Sequence, residues 1–490
     1  MGQKIASTDF TAEDYILFRQ KLVAQLKQLK QLTQQTSFGQ GELKIGAELE
    51  LYLIDKAGKT SSSNQLVLDK LNDPNFQFEI NQYNLELNLP PLKVEDKALS
   101  KLHQQLDVKL TQLKKVTDEL DIGFAQVGIL PSLAAHDLSI SKITNQARYH
   151  LLVEQLKKSR GEAFKINIHG VDELVTEFNH ATAEGANTSF QLHLMTPPEQ
   201  FGRIYNAILL SQCLVTAVAA NSPILLGKKL WQETRIAMLK QVLDCRIKDY
   251  MQCQLPPRVN FGCGWLKQGA WDLYAEAVSV YPVLLPYLFE AESNSQDLPE
   301  LKELNLHIGT VWGWNRPVYC PKNHGHIRIE FRALPAGPTN IDMVANAAFA
   351  IGIAIGLSEE IDELTAITPF YLANYNFYRA AQFGLNANIL WPNLNDFQLR
   401  SESISDVVLA MLPIAKKGLV KYGFGLEDAE KYLNIIQQRV INKQTGASWQ
   451  IQQIQQLEQE HDTKTATSLM FESYIKQSQL DLPVATWSLS

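Results

Sequence analysis

The chain has 490 residues, 45% hydrophobic and 20% charged, which excludes a disordered, collagen-like or disulfide-stapled small protein. Its 45 basic and 52 acidic residues give a net charge of −7, without the basic excess a nucleic-acid scaffold needs. Cys213, Cys245, Cys253, Cys263 and Cys320 form an odd set with no C-x-x-C pair, and read as reduced thiols of a cytoplasmic protein.

The first residues carry no apolar core of a signal segment, and Ala6 stands where a myristoylation pattern needs Ser or Thr. Helical apolar spacing over residues 13–35 predicts a solvent-facing helix, broken by Ser37-Phe38-Gly39-Gln40-Gly41. Alternation then predicts strands over residues 44–54, 76–80, 84–89, 188–195, 308–314 and 326–334. Helices are expected over residues 96–120, 149–158, 198–220 and 232–240, and almost continuously from about residue 339 to the end. The apolar runs 207–220 and 345–357 are too short to cross a bilayer and read as buried core helices, with Gly352 and Gly356 allowing close packing in the second. In the LPAGPTN stretch, Thr339 or Asn340 is the expected cap of the following helix. Strands set apart from long helices predict an α+β protein on an antiparallel or mixed sheet. No phosphate-binding G-x-x-x-x-G-K-[ST] loop or G-x-G-x-x-G unit is present.

The chemistry is carried by the polar side of these strands. Residues two apart in a strand share a face. Glu48 and Glu50 therefore lie together, opposite Leu49 and Leu51; Asn84, Glu86 and Asn88 repeat the pattern, and Glu79 extends it. Gln191 pairs with His193, and His326, Arg328, Glu330 and Arg332 form one row. An ordinary solvated sheet face would show Thr, Ser, Lys and mixed charges. Clustered carboxylates instead repel one another unless a cation neutralises them. Hard oxygens with one imidazole suit Mg²⁺ or Mn²⁺, and arginine forks suit phosphate or carboxylate. The pattern therefore points to a metal–nucleotide site for phosphoryl transfer.

The segments IGAELELYLID, NLELNLPP, TSFQLHL, AANSPILLG followed by Arg235, and HIRIEFRALPAGPTNIDMVANAA resemble, in order and spacing, the glutamate–cysteine ligase family of carboxylate–amine ligases. The resemblance is to its bacterial type 2 and ergothioneine-pathway branch and extends over roughly residues 44–391. It implies a curved, mainly antiparallel sheet open on one side and ringed by helices, as in glutamine synthetase and guanidino kinases. It also implies ATP, two or three Mg²⁺ ions with Mn²⁺ as a substitute, and L-glutamate. In the implied reaction the glutamate γ-carboxylate becomes an acyl phosphate that an amine, by family habit that of L-cysteine, captures as a γ-glutamyl amide. The resemblance divides the chain into an N-terminal helix (1–40), a ligase catalytic domain (41–395) and a helical C-terminal extension packed on the same core (396–490).

Carried over residue by residue, Glu48, Glu50, Glu86, His193 and Glu330 resemble metal-ligand positions. Arg328 and Arg332 resemble the paired arginines at the transferring phosphoryl group, and Arg235 a substrate- or phosphate-binding arginine. Glu79 matches a further acidic position at a metal or the substrate amine, Gln191 a substrate-side residue, and Arg148 a site for the glutamate α-carboxylate. Small-molecule substrates follow, with neither nucleic acid nor membrane as partner. Two other readings use the same residues: a guanidino kinase-type phosphotransferase, and a catalytically degenerate regulator that binds nucleotide or metal.

Overall fold

The structure, a computed structural model, describes residues 10–246, 255–290 and 298–489. Cys253 lies outside these residues, and Cys213, Cys245, Cys263 and Cys320 are free thiols. The chain begins with helix α1 (Ala12–Thr33), capped by the Thr11 side chain, which accepts from the Asp14 amide. Strand β1 (Lys44–Ile54) follows, then α2 (Asn64–Leu71), β2 (Phe76–Phe78), β3 (Asn84–Asn88), β4 (Leu92–Lys93), α3 (Ala98–Glu119) and β5 (Gly123–Ala125). Helix α4 (Ala147–Arg160) leads into the hairpin β6 (Phe164–His169) and β7 (Glu173–Phe178), then β8 (Phe190–Met195) and α5 (Phe201–Ala219). Short pieces come next: β9 (Ile224–Leu225), β10 (Lys228–Lys229), α6 (Thr234–Val242), β11 (Val259–Asn260), α7 (Ala270–Val280), α8 (Lys302–Ile308) and β12 (Trp312–Gly313). Strands β13 (Asn315–Cys320) and β14 (His326–Phe331) complete the main sheet.

That sheet runs β13-β14-β8-β1-β3-β2, with β4 and β5 also paired to β1, and every pairing within it is antiparallel. Its apolar face is set by period-two alternation: Leu49, Leu51, Leu85, Leu87, Phe190, Leu192, Leu194, Ile327 and Ile329 are all buried. Each such side chain contributes about 1.5–3 kcal/mol by leaving water, which pins the register because a slip of one residue would turn the glutamates inward. Glu79, just beyond β2, and Arg316, on β13, line one cavity although their strands are at opposite ends of the sheet order. The sheet is therefore curled, and its concave side is the polar one.

The remaining helices are α9 (Asn340–Leu357), α10 (Ile361–Ile367), α11 (Phe370–Phe383), α12 (Ile404–Tyr422), α13 (Leu426–Ile441), α14 (Gly446–Leu457) and α15 (Thr463–Ser478). Helix α9, capped by the Thr339 hydroxyl accepting from the Asp342 amide at 3.1 Å, packs against α5, α12 and α13 and touches β8. Residues 198–219 and 340–357 form helices long and apolar enough to cross a membrane, but both are mostly buried inside the protein.

Two expectations are corrected. The strand expected over residues 308–314 is only β12: Ile308 closes α8, and the Gly309 amide bonds back to the Asn305 carbonyl. The helical run after residue 339 is interrupted by a hairpin, β15 (Asn388–Asn393) and β16 (Gln398–Ser403), where Pro392 cannot continue a helix. The β6–β7 hairpin, alternating over Phe164–His169, has no counterpart in the sequence reading.

Candidate functional site

Register brings the polar residues together. Glu50 pairs with Glu86 across β1 and β3, Glu48 with Gln191 across β1 and β8, and His193 with Glu330 across β8 and β14. One ligating atom from each of Glu48, His193 and Glu330 falls within 4.8 Å of the others. His193 Nε2 lies 2.9 Å from Glu48 Oε1, and Arg328 Nε donates to His193 Nδ1 at 3.0 Å. The arginine bond makes Nδ1 the acceptor, so Nε2 carries the proton that Glu48 accepts. That proton is the one a metal ion would replace.

Arginines frame this cluster. Arg316 grips Glu330 with two bonds, Nε to Oε2 at 2.6 Å and a terminal nitrogen to Oε1 at 2.9 Å, while Arg332 lies 3.4 Å from Glu330 Oε2. Burial pushes the Glu330 carboxyl up, but Arg316, Arg332 and His193 outweigh it and hold the group well below the usual carboxylate range. For Glu48, burial is likewise overcome, here by His193, against the repulsion of Glu330.

A second group has the opposite balance. Glu50 accepts from the Ser189 amide at 2.8 Å, from the Ser189 hydroxyl at 2.9 Å and from Gln191 at 2.7 Å. Arg332 in turn donates to Gln191 Oε1 at 2.7 Å, so Gln191 links the carboxylate to the arginine. Burial raises Glu50 to about 7, with Glu184 and Glu86 adding to the rise and Arg332 opposing it. Glu79, whose Oε2 accepts from the Ile80 amide at 3.0 Å, is raised well above its ordinary value by burial and by Glu86 and Glu50. Glu86 accepts from Asn88 at 2.6 Å. Carboxyl groups thus outnumber the arginines on this side of the basin, and burial and mutual repulsion oppose their all being charged at once. The donor set, carboxylate oxygens and one imidazole, fits Mg²⁺ or Mn²⁺.

The other sequence-predicted residues lie around this centre. Arg148 and Glu79 line a cavity of about 480 Å³ together with Arg316. Arg235 does not open onto the basin: it is 2% exposed, pairs with buried Glu233 at 3.0 Å, and donates to the Ala333 and Arg332 carbonyls at 3.2 and 3.4 Å. His326 is drawn down to about 4 by burial and by Arg328 and Lys44. Two residues escape the sequence reading. Arg316 shares the less buried face of the edge strand β13 with Val318, alternating with buried Asn315 and Pro317, a signal obscured by the proline. Glu184 sits in the 3₁₀ turn Ala181–Ala186, where no alternation marks it; burial raises it to about 7, opposed by Arg332.

Residues 44–259 match the family model of glutamate-cysteine ligase family 2. No curated protein matches the sequence. Among solved structures, the chain is similar to a glutamate–cysteine ligase from Francisella tularensis in complex with AMP, with 13% identity and a TM-score of 0.51 over 93% of this chain and 91% of that one. It is also similar to a bifunctional glutathione synthetase from Pasteurella multocida, at 13% identity and a TM-score of 0.50, covering 93% of this chain and 54% of that longer one. At these identities the structural likeness is one of fold, and it matches the antiparallel, helix-ringed sheet described above.

Proposed function

We propose, for a chain whose residues 44–259 belong to glutamate-cysteine ligase family 2 and which is therefore an ATP-dependent ligase, that its donor is the γ-carboxylate of L-glutamate and its acceptor the amine of an amino acid, cysteine being the one the family name supplies. The donor carboxylate attacks the γ-phosphorus of ATP and ADP departs. The amine then attacks the acyl phosphate, a proton leaves the nitrogen, and inorganic phosphate is released with the γ-glutamyl amide. The observation that carries this reading is the meeting of Glu48, His193 and Glu330 within 4.8 Å beneath a frame of arginines.

Glu48, Glu50, Glu86, His193 and Glu330 would hold Mg²⁺ or Mn²⁺, which when bound supplies charge neutralisation for phosphoryl transfer. Arg328 and Arg332 act on the transferring phosphoryl group, where preset cations stabilise charge as it develops. Arg316 acts through Glu330, fixing its orientation with a two-point grip. Arg235 is a positioning residue: bonded to the Arg332 and Ala333 carbonyls, it fixes the backbone from which Arg332 projects. Gln191 relays that placement to Glu50.

The test is a product assay by mass spectrometry with ATP, Mg²⁺, glutamate and a panel of amines. Inorganic phosphate and a γ-glutamyl amide should appear only when all components are present. Phosphate retained on an organic acceptor would instead make the protein a phosphotransferase, and no turnover with any amine would refute ligation.

A further inference from the structure

The cavity of about 480 Å³ beside the carboxylate basin has a composition that bears on which amine enters it. Glu79 forms part of its wall, and its Oε2 is anchored by the Ile80 amide. Arg148 stands at another point, its guanidinium 4.4 Å from the centre of the Tyr149 ring and donating to the Tyr149 hydroxyl. Tyr149 is itself fixed by donating to the Phe78 carbonyl at 2.6 Å. Among the described residues Arg148 makes no ion pair, so a half-buried cation faces the cavity without a carboxylate partner. Much of the remaining wall is apolar: Leu152, Leu285, Leu306, Ile308 and Trp312.

A carboxyl group able to accept a hydrogen bond, a cation without a carboxylate partner and a largely apolar remainder, with Arg316 on the wall already held by Glu330, make a recognition pattern for a zwitterion with a hydrophobic body. We infer that this cavity is the acceptor pocket of the ligase and that it selects an α-amino acid with a bulky apolar side chain, of the leucine, methionine or phenylalanine class, over cysteine; the inference rests on the ligase reading above. The acceptor carboxylate pairs with Arg148, in the charge-assisted contact that arginine makes best. The acceptor nitrogen lies toward Glu79 and hence toward the basin where the acyl phosphate forms. The side chain fills the region bounded by Leu306, Ile308 and Trp312. Glutamate fits this cavity poorly, because the other arginine on its wall, Arg316, is already bonded to both oxygens of Glu330. Cysteine fits it incompletely, since its side chain ends one heavy atom beyond Cβ.

Two measurements test the proposal on the full chain. Acceptor turnover is compared for alanine, cysteine, leucine, methionine, phenylalanine and leucine amide at saturating ATP, Mg²⁺ and glutamate. Binding of leucine and cysteine to the metal-free protein is measured by calorimetry. The bulky acceptors should exceed cysteine and alanine by about tenfold or more in kcat/KM, as one or two methylenes are worth in a hydrophobic pocket. Leucine amide, lacking the carboxylate, should fall by at least about tenfold. Arg148→Gln should raise the leucine KM and weaken its binding more than it raises the glutamate KM; a rise confined to the glutamate KM would put Arg148 at the donor α-carboxylate and overturn the inference. Leu306→Trp should shift the ranking toward alanine and cysteine, a reversal that misfolding cannot produce. Cysteine as the best acceptor, with a ranking untouched by Leu306→Trp, overturns the inference and leaves the ligase standing. Absence of any γ-glutamyl product overturns both.

Discussion

Glu330 is the most constrained carboxylate of the basin: 1% exposed, gripped at both oxygens by Arg316 and facing His193 across the strand pair. Glu330→Gln keeps the shape but leaves Arg316 and Arg332 without their counter-charge. It should lower kcat by about a hundredfold or more, the scale of losing a preset electrostatic contact, and steady-state phosphate release measures it. Chelation should abolish turnover, and Mg²⁺ or Mn²⁺ should restore it. Away from the site, buried His307 is held down to about 4 by burial, its Nε2 bonded to the Ala277 carbonyl at 2.9 Å. A depressed base binds its proton more readily when unfolded. Stability is therefore full above the ordinary value of 6.5 and is lost as pH falls toward 4, by on the order of 3 kcal/mol. Urea titrations across that window should show a shallower slope for His307→Gln. At this scale, Glu48, Glu50, Glu86, His193 and Glu330 were legible because strand alternation alone decides which face they take. Glu184 was not, since a 3₁₀ turn leaves no period to read, and Arg235 was legible as an arginine near the site but not as one turned inward by Glu233.

Between elements, α9 and α12 approach each other closely. A Cβ on Gly418 would come 2.1 Å from the Gly352 carbonyl oxygen and 2.6 Å from the Gly356 amide nitrogen, both backbone atoms that cannot rotate away. Gly418→Ala should cost about 1–3 kcal/mol by forcing the helices apart, despite alanine's better helix propensity. A drop in the urea midpoint with an unchanged slope checks it. Gly352 and Gly356 were readable as small positions in an apolar run, but Gly418 was not, because nothing local reveals which helix α9 meets. The same limit explains the misread elements. Strand β12 needs β11 as its parallel partner, and the β15–β16 hairpin lies among helices in the sequence, so neighbouring periodicity masks it.

Across the molecule, the last hundred residues are tied into the rest of the fold. Gln450 donates to Asn221 at 3.0 Å, Asn221 donates to Tyr474 at 2.8 Å, and Tyr474 donates to the Gln126 carbonyl at 2.8 Å. Arg439, 1% exposed, pairs with buried Asp342 at 2.7 Å and donates to the Val218 carbonyl at 2.8 Å. Removing everything after residue 395 would strip Asp342 of its cation and uncover α9 and α5. The truncated chain should lose cooperative unfolding and bind a hydrophobic dye, whereas an independently folding remainder would melt as a single transition.

The Asn221–Tyr474 bond also has a consequence for biosynthesis. The sheet's last strand ends at Phe331, yet the hydroxyl that bridges Asn221 to the Gln126 carbonyl belongs to a residue synthesised far later. A polypeptide emerging from the ribosome would carry the finished strands of its main sheet over an unsealed base until the closing helix is released. Arrested nascent chains should stay sensitive to protease through most of translation and become resistant only near its end.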